Sequence, residues 1–199
     1  MKWFELRRCW FAAALVATCC VFLGCARSYR SEVPSLASIS LTGSDGRTYE
    51  PSRVVGAHRL TVFIFYAAGC PCLAAHEPRI AELQRAFSGQ DVAFFLVNSE
   101  HGASPSVDAR EAQRRGLSVP LLTDSDARLA RVLGAEFATH SIVLDARGRV
   151  AYSGGLDSDK KQLHPDATPY LRHALEDALA GRPQRATEHE ALGCALQLD

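Results

Sequence analysis

The sequence predicts an α/β domain: a mixed central sheet with helices on both faces and a β-hairpin extension at its N-terminal end. Three observations carry this. Leu60–Tyr66 (LTVFIFY) and Val92–Val97 (VAFFLV) are continuous β-branched and aromatic runs, as expected of strands buried on both faces. Between them, Leu73–Phe87 has helical spacing, with Leu73, Ile80, Leu83 and Phe87 apolar and Glu77, Arg79, Glu82 and Arg85 polar. A strand–helix–strand unit of that length implies a parallel pair joined by a right-handed crossover. Finally, Ser141–Leu144 and Val150–Tyr152 flank Asp145-Ala146-Arg147-Gly148, a hairpin that adds antiparallel strands.

The remaining elements follow in chain order. Ser38–Thr42 alternates, Gly43-Ser44-Asp45-Gly46 turns, and Arg47–Tyr49 returns, which is the N-terminal hairpin. Asp108–Arg115 reads as a surface helix, and Asp126–Leu133 as a short helix capped by Asp124/Ser125 and stopped at Gly134. The last helix has Thr168 as N-cap, Pro169 at its first position, Leu171, Leu175 and Leu179 inside, Gly181 past its end and Pro183 beyond. The domain is therefore placed at residues 36–182, with a C-terminal tail at 183–199.

Twenty-two basic residues balance 22 acidic ones. No basic face is offered to nucleic acid and no acidic tail to basic partners. The N-terminus has a separate purpose. Lys2, Arg7 and Arg8 precede an apolar run from Cys9 to Ala26, the pattern of a secretory signal. The run ends in Phe22-Leu23-Gly24-Cys25, which resembles a bacterial lipobox. That resemblance implies a signal over residues 1–24, lipidation of Cys25, and a membrane-anchored lipoprotein on the periplasmic side of a cell envelope. An uncleaved anchor and a simple cleavable signal are the alternatives, and each exports the chain. Residues 25–35 are polar and aperiodic after Cys25 and read as a tether.

Seven cysteines look like a disulfide scaffold until they are mapped. Four fall in the first 25 residues, leaving Cys70, Cys72 and Cys194. Cys70 and Cys72 sit where a buried strand hands over to a helix. There the macrodipole and unpaired backbone donors favour thiolate, the form that attacks disulfides, reduces peroxides and binds soft metals. A disulfide within Cys70-Pro71-Cys72 closes a tight ring and is expected to be strained, hence oxidising.

The segment Phe65-Tyr66-Ala67-Ala68-Gly69-Cys70-Pro71-Cys72, with Pro78 and the later Ile142–Val150 hairpin of LDxxGxV type, resembles the redoxins of the thioredoxin superfamily. It is similar to the alkyl hydroperoxide reductase/thiol-specific antioxidant branch and to the thiol–disulfide reductases that mature cytochromes. The resemblance implies a thioredoxin-like fold over roughly residues 36–182. It also implies thiol–disulfide oxidoreduction, with antioxidant peroxide reduction as a companion activity and no required cofactor. Partners would be protein thiols or disulfides, a small thiol, or a peroxide.

Cys70 takes the place of the exposed nucleophile, because Pro78 stands eight residues after it, as in the family. Three departures matter. The motif is CxC rather than CxxC, with Leu73 where the second Cys usually stands. Peroxidatic relatives carry Thr or Ser three residues before the attacking Cys, where this chain has Ala67, or Gly69 if Cys72 attacks. His140 replaces the family's cis-Pro, within Thr139-His140-Ser141. A histidine in this region completes a copper site in thioredoxin-like proteins of the Sco type. The alternative function is thus a copper metallochaperone using Cys70, Cys72 and His140, with Cys194 or His76 as fourth ligand.

His140 is accordingly expected near the cysteines as base, thiolate partner or metal ligand. His76 is read as a surface histidine, and His58, His101, His164, His173 and His189 as solvated. Asp157, Asp159, Lys160 and Lys161 read as a solvated loop. Cys194 follows a polar stretch expected to be mobile. It could fold back as a resolving thiol or third sulfur ligand, bridge to another molecule, or be buried among apolar neighbours.

Overall fold

A computed structural model describes residues 36–199, so the signal, the Cys25 lipidation and the tether over 25–35 lie outside the described residues. Seven strands form one sheet in the order β2-β1-β5-β4-β3-β6-β7, where β1 is Leu41–Gly43, β2 Thr48–Tyr49, β3 Leu60–Tyr66, β4 Val92–Asn98, β5 Leu121–Thr123, β6 Ser141–Asp145 and β7 Val150–Gly154. Every residue of β3 is buried, which is why its sequence shows no alternation. It pairs in parallel with β4, Phe63 opposite Phe95, and antiparallel with β6, Phe63 opposite Ile142. This is the thioredoxin-like α/β fold that the sequence predicts.

Among the described residues five α-helices complete it: α1 Pro51–Ala57, α2 Pro71–Phe87, α3 Pro105–Arg115, α4 Arg128–Leu133 and α5 Tyr170–Leu179. None of them is long and apolar enough to cross a membrane. Two elements escaped the sequence reading, α1 and β5. Each is too short for a periodic pattern, and β5 exists because its three buried residues fill the space between β4 and β1.

Other differences concern ends and faces. α5 begins at Tyr170 with Pro169 as its N-cap, one residue later than Thr168 and Pro169 suggest. The short helix begins at Arg128, yet Asp124 still caps it: its carboxylate accepts the Leu129 and Ala130 N–H groups at 3.2 and 3.1 Å. Nor is α3 a purely surface helix. Its Asp108 is buried and accepts hydrogen bonds from Asn98 and Thr123 at 2.7 and 2.6 Å, tying α3 to β4 and β5.

The C-terminal tail is not a loose polar strand. Asp177, buried on α5, receives the Arg182 and Arg185 guanidinium groups at 2.9 and 2.8 Å and turns the chain back. The tail then follows β7, with the Ser153 N–H donating to the Thr187 carbonyl at 3.0 Å and the His189 N–H to the Ser153 carbonyl at 3.2 Å. It finishes against the loop before β6, where the Ala138 N–H donates to the Cys194 carbonyl and the Leu196 N–H to the Glu136 carbonyl, both at 2.8 Å. The order that this tail lacks in its own sequence is imposed by partners on β7 and the 135–139 loop.

Candidate active site

Gly69, at φ 79°, ends β3 in a turn that only glycine adopts without strain. It aims the chain so that Cys70 becomes the extended N-cap of α2 and Pro71 its first residue, where a missing N–H costs nothing. Cys72 follows within the first turn. The backtracking tail brings Cys194 to the same place, and the three sulfur atoms lie within 4.8 Å of one another. Cys70 and Cys72 are buried, Cys194 partly so, and none is in a disulfide.

The three thiols are not equivalent. Burial works against ionising Cys70. It is outweighed by hydrogen bonds from the Cys194 thiol and from the Leu73, Cys194 and Cys72 N–H groups, which hold the Cys70 thiol below its ordinary range. Cys194 is pushed up to about 12, first because its thiol donates to Cys70, then by burial and the neighbouring sulfur charge. Burial and the Cys70 charge push Cys72 up as well, against the pull of the Lys160 ammonium. The first proton therefore leaves Cys70, and Cys194 acts as its hydrogen-bond donor.

Two contacts bring the segment that carries Cys194 to the site. A Cβ placed on Gly193 would stand 1.6 Å from the Ala138 carbonyl oxygen, so the tail approaches that loop at a distance only glycine permits. The Glu100 carboxylate accepts the N–H groups of Ala68, in the turn before Cys70, and of Gln197, in the tail, and burial raises its pKa. The Gln197 carbonyl in turn accepts the His101 N–H at 2.6 Å. Glu100 thus ties the nucleophile's turn to the segment that carries Cys194. Sequence reasoning had no signal for it, since its partners are backbone groups on distant segments.

A Gly193→Val chain is therefore expected to shed its tail from the 135–139 loop. The Cys70 thiol should then titrate higher than in the wild type, as followed by thiolate absorbance against pH. An unchanged Cys70 titration in a folded Gly193→Val protein would refute the role given to the tail.

His76 is the plainest correction. It is not on the surface but 2% exposed, because α2 starts at Pro71 and turns this residue inward beneath the loop after β7. Its Nδ1 lies 2.7 Å from the Cys72 carbonyl oxygen and its Nε2 3.0 Å from an Asp157 carboxylate oxygen. Both neighbours are acceptors, so both ring nitrogens carry protons and His76 is an imidazolium. Burial opposes that charge; the hydrogen bonds to Asp157 and Cys72 outweigh it and raise the His76 pKa. With both nitrogens engaged, His76 has no lone pair for a metal.

The loop expected to be solvated is corrected in the same way. The Asp157 and Asp159 carboxylates are 6% and 8% exposed, and both bond to Arg79, Asp159 at 2.9 Å. Only Lys160 and Lys161 are exposed as expected. His164 bonds to Asp159 at 3.0 Å, His58 to Asp91 at 2.8 Å, and His189 stacks on Tyr170 with centroids 3.7 Å apart. These partners lie too far away in sequence, or in too irregular a spacing, to be read as patterns.

His140 sits beside β3: its carbonyl accepts the Phe65 N–H at 2.8 Å, and the Thr139 N–H donates to the Phe65 carbonyl at 2.9 Å. Its Nε2 bonds to Ser153 Oγ at 2.9 Å, and burial lowers its pKa, which favours the uncharged ring. It does not belong to the sulfur cluster, whose third member is Cys194. The copper set of Cys70, Cys72 and His140 is thus not the group that the fold gathers.

Two cysteines thus stand at the N-terminus of α2, fed by the central strand of a thioredoxin-like sheet. The Redoxin family model matches residues 30–170, well over half of the chain. The chain belongs to the Redoxin family. No curated protein matches it at the level of sequence. In structure it is similar to a conserved protein from Geobacillus kaustophilus, with TM-score 0.75 and 22% identity over 86% of this chain and 92% of that one. It is also similar to the peroxidoxin BcpB of Mycobacterium tuberculosis (0.52, 17%, 71% and 89%). A third likeness is to a secreted Mycobacterium tuberculosis disulfide oxidoreductase homologous to E. coli DsbE (0.51, 16%, 72% and 95%). At these identities the likenesses establish the fold.

Proposed function

We propose that the protein is a thiol–disulfide oxidoreductase in which Cys70 attacks and Cys194 resolves. The observation that carries this reading is the sulfur trio itself, with the Cys70 thiol lowered by the Cys194 thiol that donates to it. The Cys70 thiolate attacks one sulfur of a substrate disulfide, forming a mixed disulfide and expelling one substrate thiolate. Cys194 then loses its proton and attacks Cys70 Sγ, which releases the second substrate thiol and leaves a Cys70–Cys194 disulfide. One substrate disulfide is reduced to two thiols while two protein thiols are oxidised, and the reverse sequence oxidises a dithiol.

Cys194 suits the second step better than Cys72. Cys72 is fixed within the first turn of α2, whereas Cys194 rides on a segment held by a few backbone hydrogen bonds and can close the remaining gap to a bond of about 2.05 Å. Hydroperoxide reduction is less favoured. Position 67, where a hydroxyl would hold the peroxide, is a buried Ala67. The basic start and apolar run of residues 1–26 support export to an oxidising compartment, where such chemistry has substrates.

The test is a trapping experiment. A Cys194→Ser protein treated with a model disulfide is expected to stall as a mixed disulfide on Cys70, identified by mass spectrometry of its peptides. The wild type should instead accumulate an internal Cys70–Cys194 bridge. A Cys194→Ser protein that turns over like the wild type through a Cys70–Cys72 bridge would overturn the assignment of Cys194.

A further inference from the structure

We propose that the reduced protein holds one Cu(I) ion on Cys70, Cys72 and Cys194, a trithiolate site distinct from the Cys–Cys–His set of the Sco type. This goes beyond the redox reading, because it uses the same three sulfurs but requires no attack on a substrate.

The geometry comes first. A three-coordinate ion with metal–sulfur bonds of about 2.3 Å holds its sulfurs about 4 Å apart. The present sulfurs are all within 4.8 Å of one another, so less than an ångström of closure is needed. Cys194, on the tail and outside helix and sheet, is the member free to supply that closure without unwinding the first turn of α2.

Donor chemistry selects the ion. Among the described residues the cluster gathers three sulfurs and no imidazole or carboxylate. Structural zinc takes four protein ligands, and harder ions take oxygen. Soft thiolates select Cu(I), which is content with three. Histidine does not complete a fourth position here, since His76 has both nitrogens engaged and His140 lies outside the cluster.

Charge decides whether such a site is tolerated. Binding displaces protons from the thiols and gathers negative charge at a buried spot. Three features offset it: the N-terminus of α2, the backbone N–H groups of Leu73, Cys72 and Cys194 that already point at Cys70, and the Lys160 ammonium that acts on Cys72. The site is also exclusive with the disulfide. A Cys70–Cys194 bridge consumes two of the three ligands, so the oxidised protein does not hold the ion.

The experiment titrates the full-length, fully reduced protein anaerobically with Cu(I) against a competing Cu(I) chelator. The expected result is one equivalent bound, weakened tenfold or more by Cys194→Ser and by Cys72→Ser, and abolished by prior oxidation to the Cys70–Cys194 bridge. Unaltered melting curves certify that both variants are folded. Binding that is indifferent to Cys194→Ser overturns the proposal, as does tight Zn(II) binding without Cu(I) binding. Turnover of a model disulfide is followed on the same samples. Lost copper binding with intact turnover sinks this inference alone, whereas lost turnover in the wild type sinks the oxidoreductase reading and leaves this one standing.

Discussion

Cys70→Ser is expected to slow the reduction of a model disulfide by at least about a thousandfold, the scale on which removing a nucleophile acts. A serine hydroxyl at the α2 N-cap feels the same macrodipole and the same N–H groups as the thiol. It is far too weak an acid to ionise there, so the attacking anion is lost. Cys72→Ser should retain the first step, because its thiol is held protonated by burial and by the Cys70 charge. In the wild type the attack rate should follow the ionisation of Cys70. Its half-maximum would fall below the ordinary range of a free cysteine thiol. Rapid-mixing kinetics against pH measure both points. A dead Cys72→Ser beside an active Cys70→Ser would reverse the assignment of the two cysteines.

The second large effect is on stability. Asp157→Ala is expected to cost about 3 kcal/mol or more, the scale for breaking a buried ion pair by removing one partner. It strands His76 under the loop after β7 and leaves Arg79 with Asp159 as its one carboxylate partner. For a chain of this size that is a fall in melting temperature of roughly 6–12 °C.

The effect should depend on pH in a stated direction. The His76 pKa is raised in the folded state, so its contribution is complete below the unfolded value of about 6.5 and lost as pH rises through the folded one. The Asp157 carboxyl is lowered, by His76, the Asp159 N–H and Arg79 acting against burial. Its contribution is complete above about 3.9 and lost as pH falls through its folded value. The stability difference between wild type and Asp157→Ala should therefore be largest between about pH 4 and 6.5 and shrink on both sides. Melting curves across pH measure this. A difference that stays flat up to pH 9 would mean that His76 is not an imidazolium.

The same pair shows where sequence reasoning stops. The central strands, α2, the hairpin after β6 and the position of Cys70 follow from local patterns. A seven-residue apolar run, a helical period broken only by Pro78, and a turn rich in Asp and Gly each act within a few residues. His76 carries no such mark. Its partner Asp157 is 81 residues away, and a histidine facing a carboxylate across that span leaves no periodic trace.

Cys194 is the sharper case. Its residue type announces chemistry, and a tail of this length allows it to fold back. The polar stretch before it looked unstructured, because nothing local orders it. The order comes from Asp177 on α5, from the edge of β7, and from the bare backbone of Gly193 against Ala138. By itself the sequence determined a thioredoxin-like domain with a cysteine at a strand–helix junction, because burial periodicity and helix-start chemistry are local. Only the tertiary structure decided which side chain joins Cys70 and Cys72, since that is a contact between distant segments: the choice fell on Cys194 and passed over His140.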